Sequence, residues 1–176
     1  METIFISYWK TPFGELILGD YQGKLALCDW RYRKMRDQVD QRIKSGLNAE
    51  FVEKETKLIK TAKKQFEAYF AGGLTEFDLP LHLVGTDFQK QVWEELIKVP
   101  FGKTLSYLAL SRQLGNEKAI RAVASANGAN AISIVVPCHR IIGTSGELTG
   151  YAGGLTAKKK LLELENPGQH AQMELF

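Results

Sequence analysis

The chain has 176 residues, 44% of them hydrophobic and 24% charged, with 23 Lys plus Arg against 20 Asp plus Glu and a formal net charge of +3. These globular proportions exclude disorder, collagen, repeat arrays and coiled coil as descriptions of the whole chain, and no apolar run reaches the roughly 18–20 residues of a membrane span. A chain this long buries about 70% of its unfolded surface and needs no metal or disulfide staple. Cys28 and Cys138 are too few for a disulfide framework and match no zinc spacing, so a reducing, cytoplasmic compartment is expected. The opening Met-Glu-Thr-Ile also lacks the basic front of a signal peptide. Residues 86–165 carry ten basic and seven acidic side chains against thirteen and twelve in 1–85, which makes the second half the candidate anion-binding half.

Residues 1–30 read as a meander of short antiparallel strands. Ile4–Tyr8 is apolar and β-prone, Thr11-Pro12-Phe13-Gly14 is turn chemistry, Glu15–Gly19 alternates, and Asp20-Tyr21-Gln22-Gly23 turns the chain into Lys24–Trp30. Residues 31–48 are basic and weakly patterned, predicting a helix plus loop. Over 50–70, Phe51, Leu58, Ile59, Ala62, Phe66 and Tyr69 share one helical stripe, stopped by Ala71-Gly72-Gly73. Leu74–Gly85 is the expected linker.

The second part opens on a capping box, Thr86 to Gln89, followed by the apolar face Phe88, Val92, Trp93 and Leu96 and stopped at Pro100 and Gly102. Ser106 is placed to cap a short helix through Leu114. Gly115 turns the chain, and Asn116 is placed to cap a helix over 117–126. Two short helices about a glycine turn read as helix-turn-helix or as an ordinary αα-hairpin. Ala122, Ser125, Ala126 and Gly128 are small, with Arg121 the one long cation among them. Packing against another helix explains the small residues; approach to a phosphate backbone or groove explains both.

Ser133–Val136 reads as a short buried strand running into Pro137-Cys138-His139-Arg140. A lone Cys or His is ordinarily packing; adjacent, behind a rigid proline at a strand end, they read as a thiol nucleophile with its base. Neighbours on an extended chain face opposite ways, so a water is expected to bridge them. Thr149–Gly154 is a glycine-rich loop without the phosphate-loop pattern. Lys158, Lys159 and Lys160 crowd the positive end of a last helix over 156–165, where cations are unfavourable unless an anion is bound. A solvated charge run is the plainer reading.

Together, Asn130, Pro137-Cys138-His139-Arg140, Tyr151-Ala152-Gly153-Gly154 and Glu165 resemble the methylated-DNA–protein-cysteine methyltransferases, the alkylguanine-DNA alkyltransferases. The match is close over 86–165. The resemblance implies an α+β fold: an N-terminal ribonuclease-H-like domain over 1–85, with a small antiparallel sheet and helices, and a mainly helical winged helix-turn-helix alkyltransferase domain over 86–165. It further implies irreversible, once-only transfer of an alkyl group from O6-alkylguanine, and O4-alkylthymine, to Cys138 after the base is flipped from double-stranded DNA. On this resemblance Glu165 orients His139, which deprotonates Cys138 through water; Asn130 braces the turn. Tyr107 contacts phosphate and assists guanine departure, and Lys158 belongs to the active site. Arg121 fills the gap left by the base, on a helix whose Ala122, Ser125 and Ala126 face the groove, with Tyr107 and Arg140 also on DNA. Ile141, Tyr151, Ala152 and Gly153 form the base pocket. Ala152 stands where several members carry a serine, and no Cys/His set matches the zinc some members hold, so no metal or cofactor is expected.

Two binding functions compete: a non-catalytic lesion sensor of the same fold, whose mark is loss of the reactive cysteine, and a winged-helix regulator, which leaves the Pro-Cys-His-Arg run and Glu165 idle. Residues 166–176 are expected as a flexible tail on a monomer. Its end, Gln172-Met173-Glu174-Leu175-Phe176, resembles the Gln-x-x-Leu-Phe peptide with which bacterial proteins hold the sliding clamp. Gln172, Leu175 and Phe176 are the candidate contacts, against the alternative that Leu175 and Phe176 fold back onto the chain's own core.

Overall fold

A computed structural model describes residues 1–169. It divides into two compact units, residues 1–85 and 86–176.

In the first unit, β1 (Glu2–Thr11), β2 (Gly14–Tyr21) and β3 (Lys24–Trp30) form the expected antiparallel meander. β2 and β3 are near-continuous apolar runs because both faces of the sheet are covered there: Leu16, Ile17, Leu18, Leu25, Leu27 and Cys28 are all buried. Gln22 and Gly23 both take positive φ (53° and 82°) in the β2–β3 turn, the geometry whose twist suits a two-residue hairpin, and the Gly23 N–H donates to Asp20 Oδ1 at 2.8 Å. After α1 (Arg36–Leu47) the chain forms β4 (Ala49–Glu53), which pairs parallel to β1, giving the order β3-β2-β1-β4.

The sheet is therefore mixed, and the expectation of a wholly antiparallel one is corrected. A helical crossover returns β4 to the far edge in parallel, which a tight turn cannot do. The helix expected from residue 50 begins at 57 for the same reason. Phe51 sits in five residues whose pairing to β1 outweighs a helical stripe, and α2 spans Lys57–Phe70 with Thr56 as its cap. Ile59, Ala62, Phe66 and Tyr69 form its buried face, with Phe66 among the rings of Trp9, Phe70 and Phe77. The 74–85 segment is more than a linker. Leu25 and Leu81 bridge, with Leu25 N–H donating to the Pro80 carbonyl and His82 N–H to the Leu25 carbonyl, which covers the β3 edge.

The second unit is mainly helical. α3 (Asp87–Ile97) starts on the full capping box, Gln89 N–H to Thr86 Oγ1 at 3.1 Å and Thr86 N–H to Gln89 Oε1 at 2.9 Å. Val92, Trp93 and Leu96 are its buried face. β5 (Leu105–Ser106) leads into α4 (Tyr107–Gln113), capped by Ser106. Asn116 does not cap by its side chain: a short 3-10 turn over 117–119, closed by Ala119 N–H on the Asn116 carbonyl, precedes α5 (Ile120–Gly128). Trp93 Nε1 donates to the Ala126 carbonyl at 2.8 Å and ties α5 to α3. β6 (Ile141–Ile142) pairs parallel with β5, and α6 spans Leu155–Glu165. Among the described residues no helix is long and apolar enough to cross a membrane.

Thr86→Ala removes one half of a reciprocal cap and strands the Gln89 amide. It is expected to lower the stability of the second unit by about 1 kcal/mol, with Thr86→Ser close to wild type, in urea titrations.

Candidate active site

The expected strand at Ser133–Val136 is a tight turn. Val136 N–H donates to the Ile132 carbonyl at 2.9 Å, Val135 N–H to Ser133 at 2.8 Å, and Ile134 takes a φ of 72°. A buried turn is as apolar as a buried strand; the difference lies in where its backbone groups are satisfied. Here Asn130 satisfies them. Its Nδ2 donates to the Val136 carbonyl at 2.8 Å and to that of Ile132 at 3.4 Å, while Oδ1 accepts from Ile132 N–H at 2.9 Å.

Pro137 then delivers Cys138, His139 and Arg140 on a single 3-10 turn, all three buried. The chain bends here, so the opposite-faces argument for an extended Cys138–His139 pair does not apply.

His139 is fully buried and its Nε2 lies 2.7 Å from Glu165 Oε2. Arg140 grips the same carboxylate, Nε to Oε1 at 2.7 Å and Nη2 to Oε2 at 3.0 Å, and its Nη1 donates to the Val99 carbonyl at 2.6 Å. Arg140, expected on DNA, is thus turned inward, because the buried carboxylate needs a partner more than a solvated phosphate does. Burial pushes the Glu165 carboxyl up, but His139 and Arg140 together outweigh it and hold the group well below the usual carboxylate range. Burial lowers the imidazole of His139, and the Glu165 charge only partly offsets this. The resulting state is a neutral imidazole beside a carboxylate. Nε2–H then donates to Glu165, which leaves Nδ1, with no hydrogen-bond partner among the described protein atoms, as the basic nitrogen. The position of Glu165 depends on Gly102: φ there is 79°, and a Cβ would stand 3.1 Å from the Glu165 carbonyl oxygen.

The lysine run is not one solvated patch. Lys158 is fully buried, and its Nζ donates to the carbonyls of Ile141 (2.6 Å), Thr149 (2.9 Å) and Gly150 (3.4 Å), whereas Lys160 is exposed. Burial brings Lys158 down to about 8, and the neighbouring Cys138 works in the opposite direction, favouring the ammonium. Tyr107 is half-buried, its hydroxyl 3.4 Å from the Thr149 carbonyl. Burial raises it, as does Cys138. The sulfur is therefore within electrostatic reach of both. Asn127, which sequence reasoning did not single out, hydrogen-bonds Tyr107 from α5 and is 5% exposed. An asparagine within a helix of small residues carries no distinguishing signal.

The Tyr151 ring stands edge-on to His139 at 6.4 Å, and Tyr151, Ala152 and Gly153 are half-buried. Ile141 is fully buried. On α5, Arg121, Ala122, Ser125 and Gly128 form an exposed face. Ala126, expected with them, is buried, since its position turns toward Trp93. Gln172, Leu175 and Phe176 lie outside the described residues. Among the described residues no cluster of His, Cys, Asp and Glu is arranged to hold a metal ion.

Residues 87–167 match the DNA-binding domain of the 6-O-methylguanine DNA methyltransferases, and residues 4–83 match the ribonuclease-like domain of the same family. The methylated-DNA–protein-cysteine methyltransferase of Mycobacterium tuberculosis is 55% identical over 115 residues, 65% of this chain and 70% of that protein. That of Methanosarcina acetivorans is 41% identical over 163 residues, 92% of this chain and 98% of its own. A crystal structure of the Mycobacterium tuberculosis protein in complex with DNA superposes with a TM-score of 0.78 at 40% identity, covering 94% of this chain and 96% of that one. With both domains matched in order along the sequence, the chain belongs to the methylated-DNA–protein-cysteine methyltransferase family.

Proposed function

We propose that this protein repairs O6-alkylguanine, and O4-alkylthymine, in duplex DNA by taking the alkyl group onto Cys138 once per molecule. The observation that carries this reading is the buried Cys138 on the turn that also holds a neutral His139 backed by Glu165. A lesion sensor or a regulator has no use for that arrangement. It also agrees with the DNA-bound relative of the same family.

The transfer balances without a cofactor. The Cys138 thiol gives its proton to His139 Nδ1 through a bridging water, and the thiolate attacks the alkyl carbon. The S–C bond forms as the C–O6 bond breaks, and the electron pair of that bond stays on the base. The base takes up one proton, returned through the site with Tyr107 as its near donor, and leaves as guanine. Lys158 supplies positive charge beside the sulfur. The thioether product is a poor leaving group, so the protein is consumed. Reaching a stacked base requires flipping, with the exposed Arg121 on α5 filling the gap. The tail Gln172–Phe176 is proposed to tether the protein to a bacterial sliding clamp, with Leu175 and Phe176 in an apolar pocket and Gln172 at its rim.

Intact-mass and peptide analysis after mixing with methylguanine-containing duplex is expected to show one methyl per molecule, on the peptide holding Cys138. Cys138→Ala is expected to bind DNA and transfer nothing. Methyl on Cys28, or repeated turnover, overturns the mechanism.

Arg121→Ala is expected to slow repair of duplex about tenfold or more, because extruding a base costs a few kcal/mol, and to leave alkylation by a free base analogue near wild type. Equal losses on both refute gap filling. DNA binding is expected to weaken steeply with salt.

Deleting Gln172–Phe176 is expected to abolish binding to immobilised clamp and to leave transfer on short oligonucleotides unchanged. Full-length protein that does not bind the clamp removes this part of the proposal.

A further inference from the structure

The Glu165 carboxylate is shared. Its Oε2 meets both His139 Nε2 at 2.7 Å and Arg140 Nη2 at 3.0 Å, and its Oε1 meets Arg140 Nε at 2.7 Å. A carboxylate beside an imidazole favours the protonated ring and raises its pKa. An imidazolium cannot serve as the base for Cys138. We infer that Arg140 is a positioning residue that sets the proton state of this pair: by neutralising Glu165 through a two-point grip, it leaves the imidazole uncharged, with Nε2–H directed at the carboxylate and the Nδ1 lone pair free for the Cys138 proton. The inference rests on the alkyl-transfer reading above for what the base does, and on the buried geometry alone for the proton state.

Three features support it. The guanidinium is never deprotonated under working conditions, and its planar fork matches both carboxylate oxygens, so the compensation is permanent and directional. Side-chain exposure is 8% for Arg140, 1% for Glu165 and 0% for His139, so solvent does little to screen the triad. The third donor of Arg140, Nη1, is fixed on the Val99 carbonyl at 2.6 Å, which prevents the fork from swinging away. The charged and titratable groups around the imidazole are Glu165 and Lys158 from α6, Arg140 and Cys138 from its own turn, and Tyr151 from the loop before α6. Below pH 8 two of these, Arg140 and Lys158, are cations and one is an anion. Removing Arg140 makes the balance even and leaves Glu165 free to hold a protonated His139.

A purely structural role, tying α6 to the end of α3, predicts lost stability but no change in the imidazole. The decisive experiment is an NMR titration of His139 in full-length wild type, Arg140→Gln and Arg140→Lys, alongside single-turnover methyl transfer to Cys138 as a function of pH. Arg140→Gln keeps a hydrogen-bond donor and loses the charge; its His139 midpoint is expected to rise by about one pH unit or more. Its transfer rate relative to wild type is expected to be lowest in acid and to recover as pH passes the new midpoint. Using the ratio at each pH cancels the titration of Lys158 near 8, which all variants share. Arg140→Lys keeps the charge and is expected to leave the midpoint near the wild-type value.

An unmoved midpoint in Arg140→Gln, a rate loss independent of pH, or a midpoint raised as far in Arg140→Lys as in Arg140→Gln overturns the inference. Should Arg140→Gln unfold around its unpaired carboxylate, Arg140→Met, which fills the space without a charge, takes its place: a raised midpoint supports the role of charge and an unmoved one refutes it. Wild-type protein that transfers no methyl removes the proposed function, while the midpoints still decide the role of Arg140.

Discussion

The buried carboxylate of Glu165 is the constraint around which the reactive end of the second unit is organised. An ionised carboxyl with 1% side-chain exposure is costly unless every lone pair is met. Here the last residue of α6 is met by His139 and Arg140, two consecutive residues of one 3-10 turn. The turn is thereby pinned to α6, and through Arg140 Nη1 also to the Val99 carbonyl just beyond α3. Cys138, the first residue of that turn, inherits its position from a network in which its own sulfur need not take part. Burial lowers the neighbouring imidazole, and the same network fixes which of its nitrogens faces Glu165, so the fold and the geometry of the site depend on one set of hydrogen bonds.

Between α5 and α6 the chain has almost no regular structure, yet most of it is buried. Side chains take over the work that ladders do elsewhere. Asn130 closes the 130–136 turn with both ends of its amide. Lys158 gathers three carbonyls from Ile141, Thr149 and Gly150, fastening the glycine-rich loop to α6. A buried ammonium on three carbonyls keeps its charge at neutral pH at the cost of a lowered pKa, and that charge sits close to Cys138. These two side chains allow the stretch to be irregular while the carbonyls of Val136, Ile141 and Thr149 keep partners.

α5 shows how packing and an exposed face share one short helix. Val123, Ala126 and Asn127 point inward, with the Ala126 carbonyl on Trp93 and Asn127 on Tyr107. Arg121, Ala122, Ser125 and Gly128 remain outside. The small residues thus serve two ends: some let α3 approach, and others leave a low surface beside one long cation. Local sequence cannot separate them, since alanine suits either side.

The sequence by itself determined the division at residue 85, the three-strand meander, the Thr86 and Ser106 caps, and the family through Pro-Cys-His-Arg and the loop beginning at Tyr151. These are local signals: turn residues, capping hydroxyls and a motif of adjacent residues. Only the tertiary structure decided that Glu50–Glu53 pairs with β1 and is not helix, that Ser133–Val136 is a turn, and that Lys158 and Arg140 face inward. Each of these depends on a partner far along the chain: β1 for the fourth strand, the Ile141 carbonyl for Lys158, and Glu165, 25 residues away, for Arg140. A lysine or arginine reads as a surface charge until the fold brings it a buried acceptor, because the cost of burying that charge is cancelled only by the groups that surround it in space.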